Sequence, residues 1–328
     1  MPTHDSFPEF IVKQLTNTRD DFVEKSKDKL LLTKEPSDSV NDRLVVLLDD
    51  KVSAPKRRGD IIKNNQGEDS DKAPFFYYLL RTYEWKDDIR DELDSKRFGN
   101  LKKLLQEDIG AIQPERLIAR RIKASNEFKN ILKENSELSE ERRQKLESLA
   151  KEIVNGWGRI KLREPYYERL KGEEEKKEEK PDGPKEEKKV KEKKKPNDSE
   201  LIASRSKLYA HLEPGSKFIY DSRVAMALFF LALLWEKKNP DFFPLVVGRS
   251  KAYKQITELF KNERKRSLER AKTFYNDYCD LIVLVRQKLL DELKIKDKLN
   301  QPEQEIFGQL VEMALFSLGR KIGSVRRR

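Results

Sequence analysis

The sequence predicts an all-α protein, a helical bundle in two parts joined by a charged linker. Apolar residues recur at helical spacing through most of the chain, and sustained alternation of period two is nowhere evident. Residues 171–200, "KGEEEKKEEKPDGPKEEKKVKEKKKPNDSE", divide the parts; their only aliphatic residue is Val190 and they contain no aromatic. Such a stretch buries no apolar surface and reads as a solvated, disordered linker or insertion. The expected division is therefore an N-terminal helical region over 1–170, the linker over 171–200, and a basic helical domain over 201–328. Whether the two parts share one core is open at this level.

Taken in order, "MPTHDSFPEF" lacks a basic region followed by an apolar core, so no secretory signal is expected. "SVNDRLVVLLDDKV" (39–52) reads equally as a short helix or a strand, because its apolar run is too short to arbitrate. Residues 56–74 are polar and loop-like. "PFFYYLLRTYEWKDDIRDEL" opens on Pro74, a favourable first-turn residue, and carries apolar groups at helical spacing. Further helices are expected around 96–107, 114–134 and 138–155, the last with Ser139 as its start signal. Gly156, Gly158 and Pro165 break the pattern around Trp157. Beyond the linker come a helix over 199–212, a turn at "EPGSK", and an apolar helix from 222 to about 237. A second turn at "NPDFFPLV" precedes a long basic helix from about Ser250. Two more helices follow, one at "YNDYCDLIVLVRQKLLDEL" and a last one over 302–321.

Composition narrows the function classes. The chain has 328 residues, 39% of them charged, with a mean hydropathy of −0.85, yet 36% are apolar, enough to build cores. One cysteine, Cys279, excludes an intramolecular disulfide, and two histidines leave little for a metal site, so no metal or other cofactor is expected. The longest apolar run, Val224 to Trp235, has 12 residues, too few to span a bilayer. No membrane partner is expected, and the chain reads as a cytoplasmic protein. No Walker loop and no Gly-x-Ser-x-Gly elbow is present. Asp49 and Lys51, with Asp38 and Asp42 upstream, are superficially like a restriction-type nuclease pattern, but no surrounding sheet is predicted.

The net charge of +11 is unevenly placed. Residues 201–328 hold 25 Lys and Arg against 15 Asp and Glu, the linker holds 11 of each, and residues 1–170 hold 34 against 33. Excess positive charge thus belongs to the C-terminal third, and a polyanion partner, most simply DNA, is its natural reading; protein partners in a larger assembly stay open. "KNERKRSLERAK" (261–272) sets Lys261, Arg264, Lys265, Arg266, Arg270 and Lys272 on one predicted helix, a face suited to phosphates. The same run would also serve as a plain solvated face, since Glu263 and Glu269 can pair along it.

Asp221 stands directly ahead of the apolar helix, where its carboxylate would cap the first free N–H groups. Arg223 in the first turn opposes the helix dipole and calls for an anion. The short turn after "SRSK" brings Arg205 and Lys207 back beside Tyr220, Asp221 and Arg223.

The order "SRSKLYAHL", turn, "FIYDSRVAMAL" resembles the core of the helix-hairpin-helix DNA glycosylase superfamily over about 35 residues. In that family an extended segment delivers an aspartate to the start of a buried helix, and bifunctional members carry a lysine on the preceding helix. The resemblance implies Asp221 as the catalytic carboxylate and Lys207 as the lysine. It departs from the family in having no glycine-rich hairpin at "ELIASRSK" and only 14 residues between the two. Base excision develops positive charge on the sugar, which a fixed carboxylate stabilises, and aromatic walls must receive the flipped base. Tyr220 and Trp157 are the stacking candidates. The alternative is a non-catalytic helical module in which Asp221 is only a cap.

Overall fold

The computed structural model describes residues 6–24, 45–48, 73–85, 89–132, 139–157, 198–235 and 274–326. The fold is all-α. Helix α1 (Phe7–Thr16) starts at a capping box in which Ser6 and Glu9 satisfy each other's backbone N–H, with Pro8 in its first turn. Its signal, Ser-x-x-Glu ahead of an apolar run, is present in the sequence. Strand β1 (Val45–Leu48) resolves the helix-or-strand ambiguity of 39–52. Helix α2 (Phe75–Arg81) begins after Pro74 as expected but ends at Arg81, well short of the amphipathic-looking run that follows.

Helix α3 (Ser95–Lys103), capped by Asp94, passes into a π-helical turn, Leu104–Ile109, closed by Gly110 at φ 71°. That backbone conformation suits glycine at the end of a helix. Helix α4 (Ile112–Leu132) buries Pro114, Leu117, Ile118, Arg121, Ala124, Ser125 and Phe128, a stripe spaced by three and four. Helix α5 (Glu140–Lys151), capped by Ser139, ends in a second π-helical turn, Glu152–Trp157. Helix α6 (Asp198–Leu212) follows the linker, then α7 (Ser222–Leu234), α8 (Phe274–Glu292) and α9 (Gln301–Lys321). Strand β2 (Ile322–Arg326) continues from α9 and pairs antiparallel with β1. Among the described residues no helix is long and apolar enough to cross a membrane.

Helix α9 is the axis of the molecule. From Ile306 to Gly319 every residue is buried, as expected of a helix that is covered on all sides. Helix α7 lies along it at backbone contact. A Cβ on Gly319 would overlap the carbonyl oxygen of Arg223 and lie 2.6 Å from its carbon. Nearer the other end of α9, a Cβ on Gly308 would lie 2.6 Å from the Phe218 ring.

One hydrophobic core draws on both sides of the linker. It runs from Phe7, Phe75, Phe76, Leu101 and Ile118 to Leu228, Ile282, Phe307 and Leu315. Rings cross the divide at 5.7 Å between Phe76 and Phe307 and at 5.4 Å between Tyr83 and Phe316. Polar links cross it too. Glu303 accepts from the Leu101 N–H at 2.9 Å, and Lys288 pairs with Glu9 at 2.8 Å. A smaller cluster, Phe128, Leu146, Ile153 and Leu208 among it, joins α4, α5 and α6. The question that the sequence left open therefore has an answer: the two parts share a core. Residues 171–197 lie outside the described residues.

Candidate functional site at the start of helix α7

Between α6 and α7 the chain runs without helical hydrogen bonds over Phe218–Tyr220, and it does so inside the protein: these three residues are at most 3% exposed. Buried backbone polar groups must find partners, and here side chains supply them. Gln309 donates to the Lys217 carbonyl at 3.0 Å, the Tyr275 hydroxyl to Phe218 O at 2.9 Å, and the Tyr278 hydroxyl to Ile219 O at 2.8 Å. The Ile219 N–H donates to Glu312 at 2.9 Å, and the Tyr220 N–H to the Ser206 hydroxyl at 3.0 Å. Three helices therefore hold this one strap.

Glu312 anchors the arrangement. Its two oxygens take Nη1 and Nη2 of Arg121 at 2.8 and 3.0 Å, and the Ile219 N–H adds a third donor. Three donors on one side chain describe an ionised carboxylate in a buried, two-pronged ion pair. Burial pushes the Glu312 carboxyl above its ordinary value, and the Arg121 charge pulls it back. Burial likewise works against the Arg121 charge, but Glu312 outweighs it and holds that pKa above ordinary. The surrounding phenols are kept neutral. Burial raises Tyr83 and Tyr278 far above the usual tyrosine value, with the Glu312 charge adding to both.

At the end of the strap, Asp221 caps α7. Its Oδ1 accepts from the N–H groups of Arg223 at 2.9 Å and Val224 at 3.2 Å, while Oδ2 has no hydrogen-bond partner among the described residues. The return of α6 beside this point is as expected from the short turn, since Ser206 bonds both the N–H and the carbonyl of Tyr220.

The other expected site residues fare differently. Lys207, next to Ser206, is 8% exposed, a buried position beneath the surface, and its carbonyl accepts from His211 Nδ1 at 2.6 Å. Arg205 is half-buried on the same turn. Arg223 is exposed, its guanidinium 4.5 Å above the Phe316 ring. Tyr220 is not a surface platform: it is 0% exposed, with Phe274 and Tyr278 edge-on at 4.9 and 4.8 Å. A ring so enclosed has no face to offer a flipped base. The side chain of Trp157 lies outside the described residues. So do Lys261, Arg264, Lys265, Arg266, Arg270 and Lys272.

Sequence reasoning missed Arg121, Glu312, Gln309 and Tyr278, the groups that hold the strap. A signal did exist. Glu312 interrupts "LVEMALFSL", and Arg121 falls on the apolar stripe of α4, so each is a charge at a position the pattern reserves for the core. Two shallow clefts, of about 310 and 280 Å³, lie beside Arg286 and Glu305 and beside Phe98 and Asn126; neither reaches Asp221. Comparison of the chain with protein-family models, with curated proteins and with solved structures gave no match.

Proposed function

We propose that the protein binds nucleic acid, most simply DNA, as a non-catalytic helical component, with Asp221 serving as the cap of α7. The observation that carries this reading is the concentration of a net +10 in residues 201–328, with 236–273 alone holding eleven Lys and Arg against five Asp and Glu. Phosphate backbones are the ligand such a charge excess fits best. A reducing compartment such as the cytoplasm suits a chain whose single cysteine, Cys279, is a buried thiol. The geometry at Asp221 supports binding over chemistry, because Tyr220 is enclosed and Lys207 is buried beneath the surface.

A base-excising activity is the second reading, favoured by Asp221 Oδ2, which has no hydrogen-bond partner among the described residues. The purified protein, incubated with labelled DNA duplexes carrying modified bases and then with alkali, distinguishes the two. Salt-dependent binding without strand breakage on any substrate is expected. Breakage at one base type that disappears in Asp221→Asn, with the fold intact, would replace the binding reading with the catalytic one. Asn keeps most of the capping ability, so the comparison isolates the chemistry.

A further inference from the structure

Arg223 stands in the first turn of α7, where a cation opposes the helix dipole. It is exposed and makes no ion pair among the described residues. Its backbone is seated against the last turn of α9, the approach that Gly319 permits. The next residues of α9 are Arg320 and Lys321. Arg320 reaches Glu84 at 2.6 Å, while Lys321 lies 4.7 Å over the Tyr78 ring, which Arg19 also faces at 4.9 Å. Cations from three segments thus converge where α7 starts and α9 ends. The dipole of α9 accounts for Arg320 and Lys321 near its C-terminus. It does not account for Arg223.

One partly exposed ring adjoins the charge, with buried rings behind it. Trp85, half-buried, stacks on Tyr83 at 6.5 Å and 11°, and lies 6.3 Å from the Phe316 ring that supports Arg223. A guanidinium held over a ring keeps its edge N–H groups for a phosphate, and a tryptophan beside it offers stacking. Cations interleaved with aromatics match unpaired bases, whose faces a duplex conceals.

We propose that this junction is a contact surface for single-stranded nucleic acid, with Arg223 on a phosphate and Trp85 stacking a base. The proposal rests on the nucleic-acid reading above and gives it a strand form and a place.

The test uses the full chain with labelled oligothymidine and a duplex of equal length. Arg223→Gln removes the cation that opposes the α7 dipole, so folding is preserved. Lys298→Gln, exposed just before the opposite end of α9, is the control for lost charge. Arg223→Gln is expected to bind oligothymidine roughly tenfold more weakly and to lower the salt slope by about 0.7, the single-strand value for one phosphate. Lys298→Gln should match the wild type. Oligothymidine should also quench tryptophan emission in the wild type, and the quench should shrink in Trp85→Phe. If the wild type binds but Arg223→Gln behaves like Lys298→Gln, this surface is wrong while the nucleic-acid reading stands. Equal loss on the duplex, with no quench by oligothymidine, overturns the single-strand assignment. A wild type that binds neither ligand overturns both readings.

Discussion

Replacing Glu312 by Ala should be among the most damaging single substitutions in this protein, and the contacts say by how much. The carboxylate accepts three hydrogen bonds, at 2.8, 3.0 and 2.9 Å, and its loss leaves Arg121 charged at 0% exposure. Stripping one partner from a buried ion pair costs about 3–5 kcal/mol, a large part of the ~5–15 kcal/mol that holds a typical fold. The double variant Arg121→Met with Glu312→Leu removes both charges and restores apolar packing. It should recover most of that loss, but not all, because the Ile219 N–H still lacks an acceptor, at roughly 1–3 kcal/mol. Urea titrations followed by circular dichroism would supply all the values. A cost below about 1 kcal/mol for Glu312→Ala, or a double variant no more stable than the single one, would refute the claim that this pair holds the strap.

Two further predictions concern packing and pH. Gly319→Ala puts a methyl into the backbone of Arg223, which cannot swing aside as a side chain could, so a loss of at least 1–3 kcal/mol is expected on the scale of overpacked cores, read as a lower thermal midpoint. His211 is buried, and burial, with the Arg121 charge adding, lowers its pKa from the ordinary 6.5 to about 3. Between those values the unfolded chain binds a proton that the folded one refuses. The fold's advantage is therefore complete above pH 6.5 and is lost on acidification, at about 1.4 kcal/mol per unit. Urea midpoints measured from pH 7 to pH 4.5 should fall less steeply in His211→Gln than in the wild type; parallel curves would remove His211 from the account.

The helices were legible wherever a core stripe repeated for three turns or more. The stripe of α4 and the apolar body of α7 show in the letters, and so do the starts at Ser139 and Asp221. What was not legible arises between elements. Gly308 and Gly319 look like weak points in a helix, yet each is where another segment comes close, and no local pattern says so. The same holds for Glu312 and Arg121: each reads as a lapse in an apolar stripe until the other is seen opposite it, 191 residues away. The end of α2 at Arg81 was also hidden, because the residues that follow keep apolar groups that pack as rings at Tyr83 and Trp85 without a helix.

The shared core has a consequence for synthesis. As the first 157 residues leave the ribosome, Phe7, Phe75, Phe76 and Leu101 have no α7 or α9 to cover them. At about 5–20 residues per second, the delay before α9 is made is of the order of ten to thirty seconds. During that interval a large apolar face waits in water, and aggregation competes with completion of the fold. The charged stretch between the parts is made in the same interval, a polar segment amid exposed apolar ones. For the same reason, the basic third made alone would lack the rings that α9 is built to meet. Measurements of binding therefore belong on the whole chain.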